Sequence, residues 1–370
     1  MTALIQRSFA GGELAPSLGA RSDTVKYQTG LRTCRNFFVQ RHGGVANRAG
    51  TRFVAAQASS AARGRLVKFV FNADQTYVLL FENQRMRVVR DGAVLLCGTL
   101  AAYNGATAYV PGDKVASGGT NYYCIANTTG NAPPNATYWY AMPADGTFEI
   151  PTPYASADLD TLQYDQSGDV VTLMHQSYAP RELRRSGHTT WVLSSITFAP
   201  SIAAPTGVSN SGAAGATTSW VVTTIKAESL EESLQSTATT SSATPSSGSP
   251  ITVSWGAVTG AAEYNVYRAV NGVYGYIGTA VGTSFVDNGI TPNTAETPPT
   301  ARNPFSGSGN YPATGTYYQQ RKVYAATANT PEKVEASRSG MFRNFTRSSP
   351  IQDDDAVSWS MAGRQVNEVR

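Results

Sequence analysis

The chain is poor in the residues that would give it an easy chemical label. Its three cysteines in 370 residues, Cys34, Cys97 and Cys124, are odd in number and form no C-x-x-C pair. That argues against a disulfide framework and for synthesis in a reducing compartment. Three scattered histidines, His42, His175 and His188, make a poor zinc set, and buried thiols and lone structural histidines are the simpler reading. No uncharged apolar run reaches the roughly 18 residues of a membrane span. The opening MTALIQRSFAGGELAPSLGARSD lacks the apolar core of a secretory signal, so the expectation is a chain made in the cytoplasm. Neither G-x-S-x-G nor H-E-x-x-H occurs, which removes two common hydrolase signatures. Charge is scarce at 15% of residues. Acid is scarcest of all between Thr24 and Ala73, where nine cations (Lys26, Arg32, Arg35, Arg41, Arg48, Arg52, Arg63, Arg65, Lys68) meet none. The whole chain carries +4, so the remainder sums to −5. A single-sign stretch suits a nucleic-acid or protein contact, and equally a solvated face or arginines paired with distant acids.

What is abundant is Gly, Ser, Thr, Ala, Tyr and Val, the composition of short strands and turns. The chain reads as mainly β, in six stretches. Residues 1–24 form an aperiodic, extended N-terminal arm, ordered by a neighbour. Residues 25–100 alternate strand-like runs with turns, as in LVKFVFNADQTYVLLFENQRMRVV, broken at Asn72–Gln75 and Glu82–Gln84. Residues 101–150 are an aromatic-rich insert, 151–204 return to the first texture, 205–300 are a Ser/Thr-rich second insert, and 301–370 resume the scaffold. Arg90-Asp-Gly92, Arg185-Ser-Gly187 and Arg338-Ser-Gly340 close similar strand–turn–strand units, which suggests one scaffold of repeated hairpins, as in a propeller, interrupted twice.

Tests for chemistry are negative. GVANRAGT (44–51) places threonine where a phosphate loop needs lysine, and strand-like sequence follows it. Asp353, Asp354 and Asp355 lack the spaced ligands of a calcium loop and read as a solvated turn or an arginine partner. Asp158, Asp160, Asp165 and Asp169 are rich in carboxylates for glycosidase work, but strand alternation would scatter them over two faces. No enzyme, no metal and no cofactor is expected. In CRNFFVQRHGGVANRAGTRFV (34–54), Asn36–Gln40 and Thr51–Val54 read as two strands around a Gly43-Gly44 turn, with Arg35, Arg41, Arg48 and Arg52 facing outward.

Within 101–142, the spacing Tyr109-x-x-Gly112-Asp113-x-Val115, Gly119-x-x-Tyr122-Tyr123-Cys124, Gly130-x-x-Pro133 and Tyr138-Trp139 resembles the small carbohydrate-binding modules attached to chitinases. The resemblance implies sugar-stacking rings, with Tyr109, Tyr122, Tyr138 and Trp139 as candidates, while so small a module also needs aromatic rings for its core. Residues 205–299 resemble a fibronectin type III domain through Pro205–Val208, Val253-Ser-Trp255, Glu263-Tyr-Asn-Val-Tyr-Arg268 and Thr283–Asp287. Such a sandwich names no ligand by itself.

The N-terminal sequence carries a broader resemblance. FAGGELAP (9–16), Arg21-x-Asp23, Tyr27-x-x-Gly30, Cys34-Arg-Asn-Phe37 and Gly43-Gly44-x4-Arg-x-Gly50-Thr51-x-Phe-Val54 are similar to the start of the tail tubular or nozzle proteins of short-tailed bacteriophages. Tyr311-Pro312, Gln320-Arg321, Ser337–Gly340 and Phe345-Thr346 fit the same strand pattern. This resemblance implies a virion tail protein. Copies would form a ring, six in number, below the portal and adaptor and around the path of the double-stranded genome. The chain stops at Arg370, short of the family's usual length, so the resemblance implies either truncation or completion by a second polypeptide. A conduit should not grip its cargo, so Arg35, Arg41, Arg48 and Arg52 are expected at a subunit interface beside the DNA path. The competing reading is a host-polysaccharide adhesin headed by the aromatic insert.

Overall fold

The computed structural model describes residues 5–72, 74–363 and 369. The chain divides into two compact units, Met1–Ala55 and Ala56–Arg370. The division falls inside the 25–100 stretch. Both units are built from strands and turns, as the composition implies, and among the described residues no sheet closes into a barrel.

Three antiparallel sheets form the scaffold of the larger unit, one from each stretch of scaffold texture. The first takes Arg65–Val70, Thr76–Glu82 and Arg85–Arg90 as a meander, with Glu149–Pro151 added beside the last of these. Its turns lie at the predicted breaks: the Asn72 side chain accepts from the Gln75 amide at 2.7 Å, and Gln84 takes a positive φ of 58°. The second runs in chain order through Gln163–Ser167, Val170–His175, Tyr178–Gly187 and Thr190–Ser195. The third comprises Pro312–Tyr318, Arg321–Thr327, Lys333–Ala336 and Val357–Ser360.

Alternation along these strands decides the packing, because successive side chains point to opposite faces. In the first sheet Val67, Phe69, Tyr77, Leu79, Phe81, Met86 and Val88 are buried, while Leu66 and Val78 face solvent. The buried set packs on Val171, Leu173, Leu183 and Trp191 of the second sheet in one core. One residue further on, Met174 joins Phe198, Phe305, Tyr324, Phe345 and Ala356 in a separate core with the third sheet. Each such side chain contributes about 1.5–3 kcal/mol when removed from water. A buried lysine ties the same two sheets: Lys322 Nζ lies 2.9 Å from Asp165 Oδ2 and 3.9 Å from the Tyr317 ring centroid.

The aromatic insert forms a three-stranded sheet from Lys114–Ser117, Thr120–Cys124 and Trp139–Ala141. It is keyed into the scaffold, with the Tyr123 hydroxyl donating to the Trp191 carbonyl at 2.8 Å and the Lys114 ammonium donating to the Thr189 carbonyl. In the second insert a three-stranded sheet (Ser209–Asn210, Ile251–Ser254, Ser284–Asp287) and a four-stranded one (Thr239–Ser241, Thr218–Lys226, Ala261–Val270, Val273–Ala280) share a core of Trp220, Val222, Val253, Trp255, Tyr264 and Val266. Asp287 is buried there between Trp220 Nε1 at 2.9 Å and the Arg268 guanidinium at 2.6 Å.

The smaller unit pairs Gly12–Glu13 in parallel with Gly30–Leu31 and contains a one-turn helix, Val25–Gln28, capped by the Thr24 hydroxyl. Its hairpin pairs Phe37–Val39 with Val45–Asn47. The second strand is therefore Val45–Asn47 and not Thr51–Val54, which stays outside regular structure and exposed. The reason is the tight turn: the Gly43 amide donates to the Gln40 carbonyl at 3.0 Å, so pairing must resume at once. Gly43 has φ +97°, and a Cβ there would run into Ser8. Gly44 does not need positive φ.

Buried tyrosines make the larger unit sensitive to alkali. Burial raises the pKa of Tyr123, Tyr154 and Tyr324 above the ordinary 10.0, as it does for Tyr140 and Tyr267, which also meet Glu149 and Glu232. The folded chain then holds protons that the unfolded chain releases, so stability is lost as pH rises above 10. The slope is about 1.4 kcal/mol per pH unit for each such tyrosine. Lys322, its pKa lowered by burial, acts in the opposite sense, since the cost of its buried charge disappears as pH approaches 10.5. The Tyr154 hydroxyl meets no hydrogen-bond partner among the described residues. Tyr154→Phe should therefore leave stability at neutral pH unchanged or raised by about 1 kcal/mol. It should also reduce the alkaline slope, as denaturant melts at neutral pH and above pH 10 would register.

Candidate interaction surface

Among the described residues, the ion pairs of the larger unit are closed within that unit. Glu149 takes Arg85 and Arg87 at 3.3 and 2.7 Å, Asp169 takes Arg185 at 2.7 Å, and Glu182 takes Arg184 and Arg343. Glu335 holds Arg302 and Lys333. Of the three closing-turn arginines, Arg90 pairs with Asp91, Arg185 with Asp169, and Arg338 with Asp354 and Asp355 at 2.5 and 2.9 Å. The aspartate triplet is thus in part an arginine partner, and among the described residues no group of three or more potential metal ligands gathers.

The smaller unit is different. Its two acids are already engaged: Asp23 pairs with Arg21 at 2.7 Å, and Glu13 accepts from the Cys34 amide at 2.8 Å. Arg32, Arg35, Arg41, Arg48 and Arg52 are exposed, and among the described residues none makes an ion pair or a side-chain hydrogen bond. The hairpin arranges them. Arg35 and Arg48 flank its open end, where the Arg48 amide donates to the Asn36 carbonyl at 2.9 Å. Arg41 sits in its turn, and Arg52 follows in the irregular segment. The paired strands, Phe37–Val39 and Val45–Asn47, are three residues each, about 10 Å long.

This hairpin also has no interior. Phe37 and Phe38 point to opposite faces by alternation, yet they are 48% and 60% exposed, and Phe53 reaches 78%. Among the described residues of the unit, Gly43 alone is buried, and no apolar cluster draws on it. Two strands without a covered face are marginally stable in water. The surface therefore offers unneutralised guanidinium groups and uncovered phenyl rings together.

The rings proposed for sugar stacking are placed otherwise. Tyr109, Tyr122 and Trp139 are buried, and with Val115 and Cys124 they are the insert's own core. Tyr109 stands edge-on to Trp139 at 5.1 Å between centroids, and Trp139 Nε1 donates to the Asn131 carbonyl at 2.7 Å. They are corrected to core residues, because a forty-residue module has few other apolar side chains to bury. Tyr138 is half-buried against the same cluster.

Three of the four suspected carboxylates are also occupied. Asp158 accepts from the Tyr178 hydroxyl at 2.7 Å, and Asp165 and Asp169 hold Lys322 and Arg185. Asp160 is exposed. Sequence reasoning did not find a groove of about 520 Å³ lined by Glu182, Arg184, Arg343, Lys226, Ser201 and Glu231. Its parts come from three separate stretches of the chain, and the adjacent Arg184-Arg185 pair was the one visible signal. Glu231 accepts from the Ser201 and Asn344 side chains, so the groove is a joint between the second insert and the scaffold; in it Glu182 pairs with Arg184 and Arg343, and the Lys226 ammonium donates to the Ser201 hydroxyl.

Two substitutions separate the roles. Trp139→Ala should cost about 3–5 kcal/mol by emptying the insert core. Phe37→Ser with Phe38→Ser should change the stability of the larger unit by less than about 0.5 kcal/mol. Chemical denaturation of both variants reads this out. No protein-family model matches the chain, and no curated protein sequence matches it.

Proposed function

We propose that this chain is a structural subunit of a bacteriophage tail, a nozzle-like ring component below the portal and adaptor that forms part of the conduit for the exiting genome. The observation that carries the proposal is the N-terminal unit: a basic, coreless hairpin with Phe37 and Phe38 open to water on its two faces. Such a unit gains stability when another molecule covers it, and a neighbouring copy in a ring supplies that cover to every subunit alike. Three open, stacked meander sheets support a propeller-like scaffold. The paired sheets of 205–300 support the fibronectin-like reading, and both inserts are then outward decoration. No catalytic step is assigned: Asp158, Asp165 and Asp169, three of the four candidate carboxylates, are engaged with tyrosine, lysine and arginine.

The adhesin reading has less support, since three of its four proposed stacking rings are core. Imaging of purified particles that carry the chain, with an antibody raised against residues 205–300, tests the proposal. Label arranged with rotational symmetry at the tail is expected. A single copy in an asymmetric position, or absence of the chain from the particles, overturns it.

A further inference from the structure

We infer that the N-terminal hairpin and the segment after it bind the phosphate backbone of double-stranded DNA, through Arg35, Arg41, Arg48 and Arg52, without reading sequence. This inference rests on the hairpin itself and stands whether or not the chain belongs to a tail.

Charge complementarity selects the partner. The four guanidinium groups are exposed and unpaired, and no acid occurs between Asp23 and Asp74. Within its own unit the two acids, Glu13 and Asp23, are already engaged, so nothing there neutralises the four guanidinium groups. An external polyanion satisfies what the chain leaves open. Among macromolecular contacts, those with DNA are much more positively charged than those between proteins, and a single-sign field with no interleaved acid is of that type. The shape fits as well: a two-stranded ribbon, here three residues per strand or about 10 Å long, is admitted by a major groove roughly 12 Å wide.

Four separated arginines make a weak grip. Guanidinium pairs bidentately with phosphate, but each contact releases counterions and is lost as salt rises. The expected dissociation constant is ~10⁻⁶–10⁻⁴ M at physiological salt, with a log–log salt slope of about −4 for four phosphates. Such a contact guides a duplex without arresting it, which meets the demand that a conduit not hold its cargo.

Fluorescence anisotropy of the full chain with a labelled, mixed-sequence duplex provides the test. Saturable binding with that slope is expected. Combined substitution Arg35→Gln, Arg41→Gln, Arg48→Gln and Arg52→Gln should weaken it at least about tenfold at low salt. The corresponding four lysine substitutions should keep most of the affinity, which separates charge from folding. Circular dichroism and melting should be unchanged in both variants, because none of the four side chains is buried or bonded. The inference is overturned by absence of DNA binding at low salt, or by a glutamine variant that binds as tightly as the parent. Equal affinity at matched ionic strength for polyglutamate, or for phosphatidylglycerol vesicles, overturns it too, since the site would then be for an acidic protein or a membrane.

Discussion

The fold depends on the second scaffold sheet being covered on both faces. Val171 and Leu173 point one way into the core with the first sheet, and Met174 points the other way into the core with the third. A one-residue slip would exchange the two sets and leave Thr172, which is also buried, among apolar side chains. The Tyr178–Gly187 strand holds that register through antiparallel pairing with Val170–His175 on one side and Thr190–Ser195 on the other. The aromatic insert adds to the same constraint, since Tyr123 bonds to the Trp191 backbone, so insert and scaffold settle together.

Charge follows burial. Where strands are packed, acids and bases are brought within reach and desolvated, and an unpaired one is costly; hence Lys322 with Asp165 and Arg268 with Asp287. In the N-terminal unit nothing is packed deeply enough to impose that requirement. Its arginines remain solvated at little cost, free to meet phosphate, and its phenyl rings stay uncovered. One physical rule, the cost of burying a lone charge, thus separates the self-sufficient larger unit from the unit that offers itself for contact.

The three meander stretches were legible because period-two alternation and turn residues are local: VKFVF and TYVLLFE announce their buried faces, and Asn72 and Gln84 stand where the chain reverses. The hairpin at Gly43 was legible in kind but misplaced in its second strand, since Val45–Asn47 is short and weakly apolar beside TRFV, and hydrogen-bond registry outweighed hydrophobicity. The arginine surface was visible as a run without acids. That none of these arginines makes an ion pair among the described residues was not, because the spatial neighbours of acids such as Asp287 or Glu335 cannot be read from spacing.

By itself the sequence determined a mainly β chain, its turns and the single-sign charge of residues 24–73, because composition, periodicity and charge are properties of the chain before it folds. Only the tertiary structure decided which side chains lost their water. It made Tyr109, Tyr122 and Trp139 a core, brought Glu149 and Asp169 to arginines of the larger unit, and left Arg35, Arg41, Arg48 and Arg52 exposed. Burial and pairing join residues distant in sequence, and the physics that assigns them acts only once strands have stacked.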